Sequence, residues 1–201
     1  MSRSLPLVLG ISVLLFVLGA DCAGDRSSPL DDLAARSADS TVERDVPYVS
    51  TSDSVVTRML EMAEVAPGDV VYDLGSGDGR IVITAAQRYR ARGVGIEIDP
   101  VRILEAREKA QAADVANRVT FRQGDLFEAD FRDADVVTIY LLPAVNKKLR
   151  PLLFEQLAPG THVVSHNFDM GNWAPDSTET VGPSTLYRWT IPKTVPDSLA
   201  P

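Results

Sequence analysis

The chain carries a single cysteine, Cys22, among its 201 residues, so no disulfide can close within it. Histidine is nearly absent, with two, and aromatic residues make up only 6%; no metal site is expected. A surplus of basic residues is missing as well: 20 Lys and Arg against 28 Asp and Glu leave a net charge of −8. A long nucleic-acid footprint needs a basic stripe, so no nucleic-acid partner is expected. Leaving out residues 1–23 removes one Arg and one Asp, so the remainder keeps the charge of −8. Such a balance is compatible with a cationic target such as lysine, and equally with a solvated acidic surface. There is no internal repeat.

Long apolar runs are also scarce. The one present, Leu5 to Ala20, follows Arg3 and leads into Gly19-Ala20-Asp21-Cys22-Ala23. This is the pattern of a targeting segment. As a helix it would measure roughly 24 Å against a hydrocarbon core of about 30 Å, so residues 1–23 read as a signal peptide or short membrane anchor. The expected location is therefore exported or membrane-anchored, with membrane association through this segment. Residues 24–45, rich in Asp, Ser, Ala and Arg, read as a flexible tether. The globular unit is expected over 46–192, followed by a frayed tail, 193–201.

What the chain does have is Val70-Val71-Tyr72-Asp73-Leu74-Gly75-Ser76-Gly77-Asp78-Gly79-Arg80. An apolar β-branched run, alternate glycines and then Ile81-Val82-Ile83-Thr84-Ala85-Ala86 read as strand, tight turn and helix. That unit brings a nucleoside close to bare backbone at a helix N-terminus. The spacing is G-x-G-x-G rather than the dinucleotide fingerprint G-x-G-x-x-G. Asp73, two residues before the first glycine, would repel a pyrophosphate but suits a cation. S-adenosylmethionine (SAM), with an ammonium, a sulfonium and no phosphate, is such a ligand, and the pattern resembles the D-x-G-x-G-x-G motif of class I SAM-dependent methyltransferases.

Further along, strands are expected over 69–74, 93–99, 119–123, 135–142, 161–165, 178–181 and 185–191, with helices over 53–63, 80–90, 101–114 and 145–157. Ser52 or Asp53 is the expected cap of the first helix. In the third, Val101, Leu104 and Ala112 are expected to face the sheet. The last two strands, split by Gly182-Pro183, form a hairpin at the sheet's edge. The fold class is α/β, a Rossmann-like seven-stranded sheet, mostly parallel with a C-terminal antiparallel hairpin and helices on both faces. Glu97 falls some twenty residues past the glycine turn, where nucleotide folds place an acid on ribose hydroxyls. Gly124-Asp125-Leu126 is either a plain turn or an adenine contact. Tyr140 and His166 end the fourth and fifth strands, at the crevice edge.

Several phrases extend the resemblance. Pro47-Tyr48-Val49, the stretch from Tyr72 to Val82, Asp125-Leu126-Phe127, Tyr140-Leu141, Val145-Asn146, Leu149-Arg150-Pro151 and Val164-Ser165-His166 are together similar to one group of lysine methyltransferases. These modify the ATP synthase c subunit and the adenine nucleotide translocase, and they have bacterial relatives. The resemblance implies SAM as cofactor and protein-lysine N-methylation; separately, a monomer is expected. It places Asp73, Gly75, Ser76, Gly77, Gly79, Glu97, Asp125 and Leu126 on the cofactor. Tyr140 and His166 become candidate catalytic residues, and Tyr48 and Asn146 candidate substrate contacts. Two other readings stay open: a non-catalytic SAM-binding module outside the cytoplasm, and a nicotinamide oxidoreductase, which the glycine spacing disfavours.

Overall fold

The computed structural model describes residues 49–199. The expectations for 1–23, for 24–45 and for Tyr48 lie outside the described residues. Helix α1 (Asp53–Met62) leads into strand β1 (Val70–Leu74), followed by α2 (Arg80–Tyr89), β2 (Arg92–Glu97) and α3 (Pro100–Ala112). Then come β3 (Val119–Gln123), β4 (Val136–Ile139), α4 (Pro143–Gln156), β5 (His162–His166), β6 (Ser177–Val181) and β7 (Ser184–Thr190). A final 3₁₀ turn covers Asp197–Leu199.

The sheet has seven strands in the order β3-β2-β1-β4-β5-β7-β6. The β1–β2, β1–β4, β2–β3 and β4–β5 pairs are parallel, and β7 runs antiparallel to β5 and β6. The strand order reverses between β1 and β4, so a crevice opens at their carboxyl ends. β1 is buried at every position because both of its faces are covered. Val70, Tyr72 and Leu74 join one apolar cluster with Leu149, Leu153 and Trp189, whereas Val71 packs with Val56, Met59 and Leu60 of α1. A third cluster seats α2 and α3 through Val82, Ile103 and Phe121.

Three local expectations need correction. The buried side of α3 is Ile103, Ala106 and Ala110, not Val101, Leu104 and Ala112. Both sets share helical spacing, but small alanines let the Ile103 face lie close against Val82 and Phe121. At α1 the side chain of Ser52 caps no backbone N–H; its Oγ lies 3.3 Å from Ser54 Oγ. The tail does not fray as far as Leu199, which is buried in the largest cluster, and Asn172 Nδ2 donates to Ser198 O at 2.9 Å.

The glycine turn closes against a crowded wall. Gly79 has φ +76°, and a Cβ there would lie 2.5 Å from two ring carbons of Phe121. Left-handed backbone strain and overpacking each cost about 1–3 kcal/mol. Gly79→Ala is therefore expected to lower the thermal midpoint by about 5–10 °C. Adding Phe121→Leu should recover the steric part and leave the dihedral part; thermal unfolding monitored by circular dichroism reads both, and an unshifted Gly79→Ala midpoint would refute the account.

Candidate active site

A cleft with about 1080 Å³ of empty volume, partly open to solvent, sits at the carboxyl ends of β1, β2 and β4. Its floor is the glycine turn. The N–H groups of Gly75 and Ser76 both donate to Ile96 O at 2.9 Å, which folds the turn back onto β2. Glu97 then fastens it: Oε2 accepts from Gly77 N at 2.8 Å and Oε1 from Asp99 N at 2.9 Å. Each oxygen keeps a further acceptor site. Asp99 caps α3 by accepting from Val101 N at 3.0 Å, so one carboxylate ties together the turn, the end of β2 and the start of α3.

Five carboxylates line the cleft, those of Asp73, Asp78, Glu97, Asp99 and Asp125, against two guanidiniums, Arg80 and Arg102. Asp73 is 3% exposed, and its Oδ1 accepts from Thr138 Oγ1 at 2.8 Å. Burial raises its pKa to about 7; the Thr138 bond opposes the rise and the nearby Glu97 and Asp78 add to it. Asp78 goes the other way. Burial would raise it, but hydrogen bonds and charge from Arg80 and Lys109 outweigh burial and hold it well below the usual carboxylate range. Ser76 Oγ lines the cleft, is buried and has no hydrogen-bond partner among the described residues. A pocket with surplus carboxylates and an unpaired hydroxyl fits a cationic nucleoside such as SAM, and fits a diphosphate poorly.

Asp73, Gly75, Ser76, Glu97, Asp125, Leu126 and Tyr140 all line this cleft. Gly77 and Gly79 complete the turn beneath it, both with positive φ. Asp125 is exposed, and its Oδ1 accepts from Phe127 N at 2.9 Å. Tyr140 lies just beyond β4, its ring 3.9 Å from that of His166 and stacked at 6.3 Å on Phe168. Asn167 Nδ2 donates to its hydroxyl at 3.4 Å.

Two candidates stand behind the cleft rather than in it. His166 is 4% exposed, with Nδ1 at 3.2 Å from Thr51 Oγ1 and Nε2 at 2.8 Å from Ser184 Oγ. Burial lowers its pKa, so it stands neutral behind Tyr140 with both nitrogens engaged. Asn146 is fully buried, and its Nδ2 donates to Ser165 Oγ, Phe168 O and Asp169 O, holding the loop after β5. Thr51, Asp78, Arg80 and Arg102 also line the cleft and were not foreseen. The signal for Asp78 and Arg80 was in plain view, two charges inside the glycine turn; Thr51 depends on a contact spanning 115 residues.

Comparison with known proteins agrees with this geometry. The family described as ANTKMT methyltransferase domain matches residues 73–177. A protein-lysine N-methyltransferase of Saccharolobus islandicus is 49% identical over 131 residues, 65% of this chain and 81% of that protein. The adenine nucleotide translocase lysine N-methyltransferase of Mus musculus is 36% identical over 72% of this chain, and the match spans 62% of the mouse protein. Among solved structures, an RNA methyltransferase of Salinibacter ruber in complex with S-adenosylhomocysteine (SAH) is 63% identical, with a TM-score of 0.75, over 76% of this chain and 100% of that one.

The expected export or membrane anchoring is overturned. No helix among the described residues is long and apolar enough to cross a membrane. What the chain shares with the Saccharolobus relative is a methyltransferase that fills 81% of that protein. Neither finding supports export or anchoring, and the expectation is withdrawn. Glycine turn, acidic cleft and switch-point sheet carry one conclusion: the chain belongs to the ANTKMT methyltransferase family and is a SAM-dependent methyltransferase.

Proposed function

We propose that the chain transfers the methyl group of SAM to the ε-amino group of a lysine in a protein substrate. The carrying observation is the 49% identity to a protein named a protein-lysine N-methyltransferase, over 81% of its length. The cleft supports it: Tyr140, with Phe168 stacked on it, lines a cleft where carboxylates outnumber guanidiniums, a setting for a cationic side chain. SAM, when bound, supplies the sulfonium methyl. Asp73 and Ser76 would hold its methionine end, Glu97 the ribose, and Asp125 with Leu126 the adenine.

Methyl transfer is an in-line displacement, so positioning and a neutral nucleophile matter most. Desolvation at the mouth of the cleft would lower the pKa of the incoming ammonium, so that it gives its proton to solvent and arrives as the free amine. Tyr140 would flank the lysine, held in place by His166 behind it. Asn146 would shape the acceptor side by fixing the 167–169 loop. The catalytic unit would start near residue 46, include the packed Leu199, and act as a monomer. Only two large apolar side chains, Val49 and Leu142, are exposed among the described residues, too few for an extensive interface; a dimer in sedimentation equilibrium would overturn this.

The 63% identity to a protein described as an RNA methyltransferase favours a second acceptor. Against it stand the net charge of −8 and a cleft where carboxylates outnumber guanidiniums. Incubation with radiolabelled SAM, a lysine-rich protein mixture and total RNA separates the two. Label is expected in acid-stable N-methyl-lysine; label on RNA alone would replace the lysine reading.

Two predictions concern the cofactor. Glu97→Gln puts an amide N–H₂ against the backbone donors that the carboxylate now accepts from, and weakens its hold on a diol. Affinity for SAM by isothermal titration should fall about tenfold or more; unchanged affinity would remove Glu97 from the site. Asp73, raised from 3.8 to about 7, favours the free fold fully at low pH, and that contribution is lost as pH rises from about 4 through 7. A cationic ligand favours the ionised form, so SAM affinity should climb about tenfold from pH 6 to the plateau above 7. Asp73→Asn should bind more weakly with a flat profile. Equal wild-type affinity at pH 6 and 7.5 would contradict the assignment.

A further inference from the structure

The segment before α1 contributes Val49, Ser50 and Thr51 to the wall of the cofactor cleft. It carries no regular structure of its own. Thr51 is nevertheless 4% exposed, and it is gripped on two sides. Arg80 Nη1 donates to its carbonyl oxygen at 2.7 Å. Its hydroxyl pairs with His166 Nδ1 at 3.2 Å.

Neither grip is isolated. Arg80 is locked on Asp78 through Nε at 2.9 Å and Nη2 at 2.6 Å, and Asp78 also takes Lys109 of α3. Arg80 is the first residue of α2 and follows directly on the glycine turn. On the other side, His166 holds Ser184 of β7 at 2.8 Å and packs its ring on Tyr140. A short irregular segment is thereby stretched between the helix that starts at the cofactor turn and the strand end that backs the mouth.

We propose that Thr51 is a positioning residue for methyl transfer. Through its carbonyl and its hydroxyl it fixes the 49–51 segment across the cofactor, and it joins the cofactor turn to the His166–Tyr140 stack at the acceptor side. Arg80 holds it from the cofactor side, and through His166 it bears on Tyr140. Among the described residues the backbone carbonyl pairs with Arg80 and the side-chain hydroxyl with His166, so the two links can be cut one at a time. The inference rests on the cofactor assignment of the cleft and is independent of which acceptor the enzyme uses.

The test is the release rate of radiolabelled SAH, chased with excess unlabelled SAH, alongside the KM for SAM. Thr51→Val keeps the shape and loses the hydroxyl; Thr51→Ser keeps the hydroxyl. Arg80→Lys keeps a charge for Asp78 but has no fork to serve Thr51 as well. One lost buried hydrogen bond corresponds to about five- to tenfold. Release from Thr51→Val and from Arg80→Lys should quicken by that factor and KM should rise with it, while Thr51→Ser stays within about twofold of wild type. A residue that served only stability would shift the thermal midpoint and leave the release rate alone. Wild-type release rates in Thr51→Val, or a Thr51→Ser variant as fast as Thr51→Val, would overturn the proposal. Binding of SAH by the wild type, measured in the same series, tests the cofactor assignment separately.

Discussion

The carboxylate of Glu97 is the constraint on which the cofactor half of the protein depends. Its two oxygens accept from Gly77 N and Asp99 N, so the glycine turn and the start of α3 share one anchor. Backbone N–H groups in a turn with left-handed residues have no regular partner, and a buried one left unpaired costs about 1–3 kcal/mol. A charged acceptor at the end of β2 meets that need at the point where the strand order leaves a crevice. The residue that would recognise the ribose is thus also the one that shapes its seat, and substitutions there cannot separate the two roles cleanly.

Asp73 shows the opposite economy. It is buried at the end of β1 with a single hydroxyl, that of Thr138, as its partner, and burial keeps its pKa near 7. Among the described residues no basic side chain pairs with it, although Arg80 stands in the same cleft, because Arg80 is engaged with Asp78 and with Thr51 O. The Asp78–Arg80–Lys109 cluster keeps the nearby positive charge occupied. It leaves Asp73 electrostatically unsatisfied until a cation arrives, which is the arrangement a sulfonium nucleoside requires.

How much of this the sequence showed follows from the range of the interactions. The strand β3 falls on Val119–Gln123 as its alternation suggests, and β1, its turn and α2 can be read from eleven consecutive residues. Local contacts carry local signals. On α3, Val101, Leu104 and Ala112 fall on one helical face as Ile103, Ala106 and Ala110 fall on another, and only packing against Val82 and Phe121 shows which face is covered. Leu199 was taken for tail because nothing near it in the chain shows what it packs against. His166 looked like a titrating group at a strand end. Its two partners, Thr51 and Ser184, lie 115 and 18 residues away, and only the folded chain shows both nitrogens engaged.

The same distinction of range separates cofactor from acceptor. The residues expected to touch SAM lie at the ends of β1, β2 and β3, whose spacing one chain can display. The acceptor mouth is assembled from the segment before α1, the ends of β4 and β5, and β7, pieces far apart in the chain that sheet pairing and long-range side-chain bonds bring together. Relatives can keep the first set intact while the second drifts. A 49%-identical protein named for lysine and a 63%-identical one described as acting on RNA therefore pose no contradiction about the fold or the methyl donor. Their disagreement falls on the acceptor mouth. There, the ring of Tyr140 packed against His166, beside an acidic cleft in a chain of net charge −8, favours a cationic side chain over a polyanion.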